Sequence, residues 1–144
     1  MIHLILPYPI SSNRYWRSFA IKRKGATHHS PVVTVTDEAK AYKSEVGWLA
    51  KAAGCRAPLR CAVQLEILLV PKNGICMDLD NCLKVAIDAL NGVAYFDDDQ
   101  VRKIIAERAE PDGRARLEIT ITPYEPPAPA LFREEQHGEV HSSA

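Results

Sequence analysis

The chain has 144 residues, 47% of them hydrophobic and 25% charged, a length and balance that fit one folded domain and exclude a fibrous, repeat or wholly disordered protein. No run approaches the roughly 18 uncharged apolar residues of a membrane span, and Met1–Leu6 runs into Pro7 without a basic leader or a small-residue cleavage site, so the expected location is the cytoplasm. The net charge of zero is unevenly spread: residues 1–36 carry +5 and no acid, residues 37–122 carry −2 and residues 123–144 carry −3. A basic third beside an acid-rich middle suits a protein that holds a polyanion with cations and a metal with carboxylates; a solvated basic loop is the competing explanation.

Residues 2–6 alternate weakly before Pro7 and Pro9 and read as a short strand. Ser11 to Val35 mixes Ser, Asn, Arg, aromatics and Gly25 without a sustained period, which predicts a long basic loop. A helix is expected from Asp37 to Ala53, capped by Thr36, with Asp37 and Glu38 in its first turn and Gly54 as its stop. Its apolar stripe reads Ala39, Tyr42, Val46, Leu49 and Ala53. Residues 61–70 alternate Val63, Leu65, Ile67 and Leu69 with Gln64 and Glu66, the period of a half-buried strand. A second helix is predicted from Leu79 to Leu90, with Leu79, Cys82, Leu83, Ala86 and Leu90 on one face and Asn91-Gly92 closing it. Strands follow at 100–109 and 115–122, and Pro111-Asp112-Gly113-Arg114 between them carries a strong hairpin signal.

The order β-α-β-α-β-β predicts a two-layer α+β domain over residues 1–122, two helices covering a four-stranded mixed sheet. Residues 123–144 begin with Pro126, Pro127 and Pro129 and then lack any period, so a disordered tail is expected. The cysteines Cys55, Cys61, Cys76 and Cys82 include no Cys-x-x-Cys pair, and reduced thiols are the default. Cys76 and Cys82 flank the acidic segment described next, but neither has a partner at zinc-finger spacing.

The densest chemistry lies in Asp78-Leu79-Asp80-Asn81, then Lys84, then Asp97-Asp98-Asp99-Gln100. Clustered carboxylates repel one another unless a cation lies between them, and Mg²⁺ binds through one or two carboxylates plus water and phosphate oxygens. An antiparallel return of the chain could bring the two acidic groups together. Each acid also has a structural explanation. Asp78 suits an N-cap, Asp80 suits a first helical turn and an i,i+4 pair with Lys84, and Asp97–Asp99 suits an exposed turn. Capping needs one acid and a turn one or two, whereas these two groups place five with a lysine between them. An EF-hand loop fails, since its required Gly and Glu positions hold Leu83 and Ala89. An Asp-x-Asp-x-Thr/Val phosphatase fits poorly because Cys82 holds the Thr/Val position. A phosphate-binding P-loop and a Gly-x-Ser-x-Gly elbow are both absent.

The string Asp78-Leu79-Asp80-Asn81-x-x-Lys84, with Asp88-Ala89-Leu90-Asn91 and Asp97-Asp98-x-Gln100-Val101 after it, resembles the RusA family of Holliday junction resolvases. The opening Leu6-Pro7-x-Pro9-x-Ser11-Ser12-Asn13-Arg14-Tyr15 is similar to that family's N-terminal signature, so the resemblance covers about residues 4–122. It implies a homodimeric, Mg²⁺-dependent endonuclease, with Mn²⁺ as a possible substitute, that nicks four-way DNA junctions symmetrically. The resemblance maps the catalytic and metal-holding acids onto Asp78, Asp80 and Asp98, and the catalytic lysine onto Lys84. Asp98 is chosen from the triplet because it lies two residues before Gln100. Cys82 and the tail match nothing in the family pattern.

On this reading Arg14, Arg17, Lys22, Arg23 and Lys24 contact phosphates, and Asn13 and Tyr15 complete the expected DNA-binding set. Tyr15 and Trp16 are candidates to stack on unpaired bases, with core packing as the competing role for Trp16. Two other classes stay open: a junction-binding protein that does not cleave, and a small metal-dependent phosphohydrolase indifferent to branched DNA.

Overall fold

The computed structural model describes residues 1–21, 24, 25, 27, 28 and 30–129. Within them the chain forms β1 (Ile2–Leu6), α1 (Ser12–Tyr15), β2 (Trp16–Ile21), β3 (Ser30–Val35), α2 (Asp37–Ala52), β4 (Val63–Val70), α3 (Leu79–Leu90), β5 (Val101–Arg108) and β6 (Arg116–Pro123). A single 3-10 turn, Asp98–Gln100, leads into β5. The architecture is α+β with a mixed four-stranded sheet in the order β1-β6-β4-β5, beside a separate two-stranded ribbon of β2 and β3. No helix among the described residues is long and apolar enough to cross a membrane.

The main sheet owes its order to β4. Val63, Leu65, Ile67, Leu69 and Val70 are all buried, and a strand this apolar is best placed where both of its edges are paired. It pairs antiparallel with β6 from Val63↔Pro123 to Val70↔Arg116, and parallel with β5 from Val63↔Val101 to Leu69↔Arg108. A parallel pair needs a crossover, and α3 is that crossover. The hairpin expected at Pro111–Arg114 is therefore overturned, because β4 lies between β5 and β6. Asp112-Gly113 still turns tightly, with Gly113 at φ +92° and Arg116 bonded to Asp112. That turn carries the chain from an edge strand back into the sheet. The charges on β5, Arg102, Lys103, Glu107 and Arg108, suit an edge, where they discourage further pairing.

The basic segment is also more ordered than a loop. Ser11 starts the single turn of α1, and the ribbon follows with Trp16↔Val35 through Ile21↔Ser30 in register. Both faces of that ribbon are partly wet, with Phe19 and Val33 exposed, so no period-two pattern marks it in the sequence. Lys22 and Arg23 lie outside the described residues, as does the tail from residue 130. β6 runs one residue past the expected boundary, and the Tyr124 N–H bonds the Ala62 carbonyl at 2.9 Å.

α2 starts at Thr36, whose hydroxyl accepts from Ala39 N–H at 3.2 Å, and it ends before Gly54, which adopts φ +105°. Its buried stripe is Ala39, Tyr42, Val46 and Ala50. Leu49 and Ala53 instead face outward, because the 3.6-residue period carries the stripe from 46 to 50. The inward residues of the sheet, among them Leu4, Leu65, Ile67, Leu117, Ile119 and Ile121, join those of α2 and α3 in one core. The opposite face of the sheet carries His3, Ile5, Glu66 and Ile105.

Leu65→Ala is expected to lower the unfolding free energy by about 3 kcal/mol through cavity formation, whereas Ile105→Ala on the open face stays within about 0.5 kcal/mol of the parent. Urea denaturation followed by circular dichroism measures both, and similar losses at the two sites would contradict this arrangement of faces.

Candidate active site

α3 separates its core residues from its chemistry. Cys82, Val85, Ala86, Ala89 and Leu90 are buried, while Asp80, Lys84 and Asp88 recur every four residues and share a stripe on the other side. Asp80 and Lys84 are exposed and Asp88 is half-buried. Asp78 occupies the N-cap position in an extended conformation, φ −63° and ψ 143°, yet its side chain makes no capping hydrogen bond. The carboxylate is exposed and has no hydrogen-bond partner among the described residues, so capping does not account for this acid. The segment leading to it is tethered by Tyr8, whose hydroxyl accepts from Met77 N–H at 3.1 Å and donates to Cys76 Sγ at 3.5 Å.

The acidic triplet divides its labour. The Asp97 carboxylate accepts from Asp99 N–H at 3.3 Å. Gln100 Oε1 accepts from Phe96 and Asp97 N–H at 2.8 and 3.0 Å, and its Nε2 donates to the Leu59 and Cys61 carbonyls at 2.8 and 2.9 Å. Asp97 and Gln100 thus build the turn, and Asp98 is left facing α3. There it lines a cavity of about 400 Å³ with Trp16, Leu83, Lys84, Ile87 and Asp88. A hydrogen bond that the protonated Asp98 carboxyl donates to Asp97 holds it above the usual carboxylate range, and burial and the neighbouring charges of Asp97, Asp99 and Asp88 push the same way. A separate concavity of about 200 Å³ on the open sheet face contains none of these residues.

The fold brings Lys84 and Asp98 together at the cavity, whereas Asp78 and Asp80 lie outside its lining, toward the start of α3. The expected antiparallel return is absent: the chain enters α3 from the C-terminal end of β4, whereas Asp98 precedes the N-terminal end of the parallel strand β5. At about 1.5 Å of rise per residue, Asp80 and Asp88 stand some ~12 Å apart along α3. Among the described residues, no three His, Cys, Asp or Glu side chains converge on a possible metal position.

The N-terminal residues divide as well. Asn13, Arg17 and Lys24 are exposed, and Arg14 is exposed but paired with Glu38 at 2.6 Å. Tyr15 is a correction to the sequence reading. Its ring is fully buried, so it offers no face to a base, and its hydroxyl donates to the Asp88 carboxylate. Burial, with Asp88 beside it, pushes that hydroxyl well above the ordinary tyrosine range. Ser12 reaches α3 in the same way, donating to the Asn81 side-chain oxygen. Asp88 was absent from the expected site, although the four-residue recurrence of Asp80, Lys84 and Asp88 is a signal that marks it. The thiols contribute nothing comparable. Cys82 lies in the core, and burial, with Cys76 nearby, pushes it up to about 12.

A family model described as Endodeoxyribonuclease RusA matches residues 7–122. Crossover junction endodeoxyribonuclease RusA of Escherichia coli strain K12 is 33% identical over 120 residues, covering 83% of this chain and 92% of that protein. The protein of the same name from Enterobacteria phage 82 is 31% identical over 121 residues, and that from Shigella sonnei 32% over 120, with the same coverage. These matches make the chain a nuclease, a hydrolase of DNA. It belongs to the RusA family of endodeoxyribonucleases.

Tyr15→Phe removes the donor to Asp88 and is expected to lower the unfolding free energy by about 1.5–3 kcal/mol, the range for a hydrogen bond to a charged group. In a cycle with Asp88→Ala the two changes should be strongly non-additive; additive losses in chemical denaturation would mean that the bond does not form.

Proposed function

We propose that the protein resolves four-way DNA junctions by paired, symmetric, Mg²⁺-dependent nicks, acting as a homodimer in recombination and repair. The observation that carries this reading is the placement of Lys84 and Asp98 at one cavity, with Lys84 on a helix whose N-cap acid Asp78 makes no capping bond. The relatives named as crossover junction endodeoxyribonucleases supply the substrate class.

The available donors are carboxylates, hard oxygen ligands that suit Mg²⁺, with Mn²⁺ as a substitute. Asp78, Asp80 and Asp98 are the residues that would hold the ion. When bound, it supplies charge neutralisation at the scissile phosphate and acidifies a water. Lys84 adds a fixed positive charge where negative charge develops on the phosphoryl oxygens. Arg17, Lys24, Lys22 and Arg23 contact backbone phosphates, and Arg14 joins them by exchanging Glu38 for a phosphate. The products are a 5′-phosphate and a 3′-hydroxyl, which leaves the nicks ligatable.

The separation of the acids along α3 supports the dimer. Metal–oxygen bonds of about 2.1 Å cannot bridge the two ends of one helix. Two copies related by a two-fold axis across antiparallel α3 helices would set Asp78 and Asp80 of one protomer against Asp98 of the partner subunit. Each dimer then carries two such sites, one for each strand to be cut.

A labelled four-way junction should be cut at paired positions with Mg²⁺, and neither with EDTA nor as linear duplex. Tight junction binding without cuts in Mg²⁺ or Mn²⁺ would overturn the nuclease reading of these acids. Asp80→Asn and Asp98→Asn should each abolish cutting and leave junction binding intact, and Lys84→Ala should slow it on the order of 10²–10³-fold. Co-expressed Asp80→Asn and Asp98→Asn chains should regain nicking, because half of the shared sites in a mixed dimer are intact; no recovery would place all the acids of a site on one chain. Arg17→Ala should reduce the slope of log affinity against log salt by about 1.

A further inference from the structure

The cavity beside Lys84 and Asp98 is larger and more apolar than phosphate chemistry requires. Its walls are the half-buried ring of Trp16 and the side chains of Leu83 and Ile87, with Lys84, Asp88 and Asp98 as its polar members. Its volume of about 400 Å³ lies within the ~300–1,000 Å³ of small-molecule sites. Two carboxylates against one ammonium disfavour an anion inside, so the phosphate itself belongs outside. A flat, neutral, partly apolar ring matches the walls. Trp16 is also held in place. Its ring centroid lies 4.5 Å from that of Tyr15, and Tyr15 is itself anchored to Asp88.

We propose that this cavity receives one unstacked nucleobase from the branch point of the junction, with Trp16 as its stacking face. The inference rests on the junction-nuclease reading and adds a subsite to it. Bases at a crossover cost less to unstack than those within a duplex, because stacking is interrupted at the branch point. Trp16 offers a sequence-tolerant platform, since every base has a π face. Lys84 and Asp98 border the cavity, so the captured base belongs to a nucleotide next to the scissile phosphate. Capture of that base would tie cleavage to branched DNA, because an intact duplex has no free base to give.

The chain has two tryptophans, and the second, Trp48, is exposed on α2 beneath Lys51. Trp48→Phe therefore leaves Trp16 as the only indole reporter without disturbing the site. In EDTA, its emission is expected to be quenched by an intact four-way junction and unchanged by a junction whose branch-point nucleotides are abasic. Equal quenching by both junctions or by linear duplex overturns the proposal.

Affinities give a second reading. The parent protein should lose on the order of tenfold in affinity with the abasic junction. Trp16→Leu should lose the same factor on the intact junction and nothing further on the abasic one, with Trp16→Phe close to the parent. Equal losses of Trp16→Leu on both junctions would make Trp16 a packing residue only. All of these measurements are made without cleavage, so failure to cut in Mg²⁺ strikes the resolvase reading alone, and failure of the abasic comparison strikes the base pocket alone.

Discussion

A phenol hydroxyl taken out of water must find a partner, and the one on Tyr15 finds Asp88. That bond links residues 73 positions apart and joins the N-terminal turn to the helix that carries Asp80 and Lys84. An unpaired buried hydroxyl costs on the order of 1–3 kcal/mol, so the pairing fixes where α1 can sit. Ser12 on Asn81 repeats the connection at the residue that follows Asp80. The ribbon that begins at Trp16 inherits its position from these two contacts. Trp16 reaches the cavity for that reason, although no main-sheet strand pairs with β2.

The second governing feature is the parallel pairing of β4 and β5. It makes α3 a crossover, and a crossover helix runs opposite to its strands. One end of α3 therefore lies near the entry to the acidic segment and the other near Asp98. Gln100 secures that second end with four hydrogen bonds, two to the chain just before it and two to the segment that leads into β4. The residue used to choose Asp98 within the triplet is thus a structural one. Its role explains why the spacing to Asp98 is informative: a residue fixed in four directions leaves its neighbour two positions back little freedom of placement.

Much of this was legible in the sequence. Alternation marked β1, β4 and β6, and the apolar spacing on α2 and α3 marked both helices, because each buries one face against a single core. The β2–β3 ribbon escaped because neither of its faces is buried enough to impose a period. Strand order escaped for a different reason. An Asp-Gly turn specifies a local bend, whereas the identity of the neighbouring strand depends on which strand needs burial most, and that was β4. At the site, the acids at 78–80 and 97–99 stood out because caps and turns do not need so many, while Lys84 and the choice of Asp98 within the triplet came from the resemblance to the family. Asp88 did not stand out, since the group that explains it is a tyrosine far away in sequence, and Tyr15 among arginines looks like a stacking residue until its burial is known.

The distance between the two ends of α3 has a consequence for how such an enzyme behaves in a cell. On the dimer reading, no folded monomer owns a complete set of acids, so newly made chains are harmless to the genome until they meet. Below the dissociation constant of the dimer, activity rises with the square of protein concentration rather than in proportion to it. A small increase in expression then becomes a large increase in cutting, and a modest decrease switches it off, with no inhibitor required.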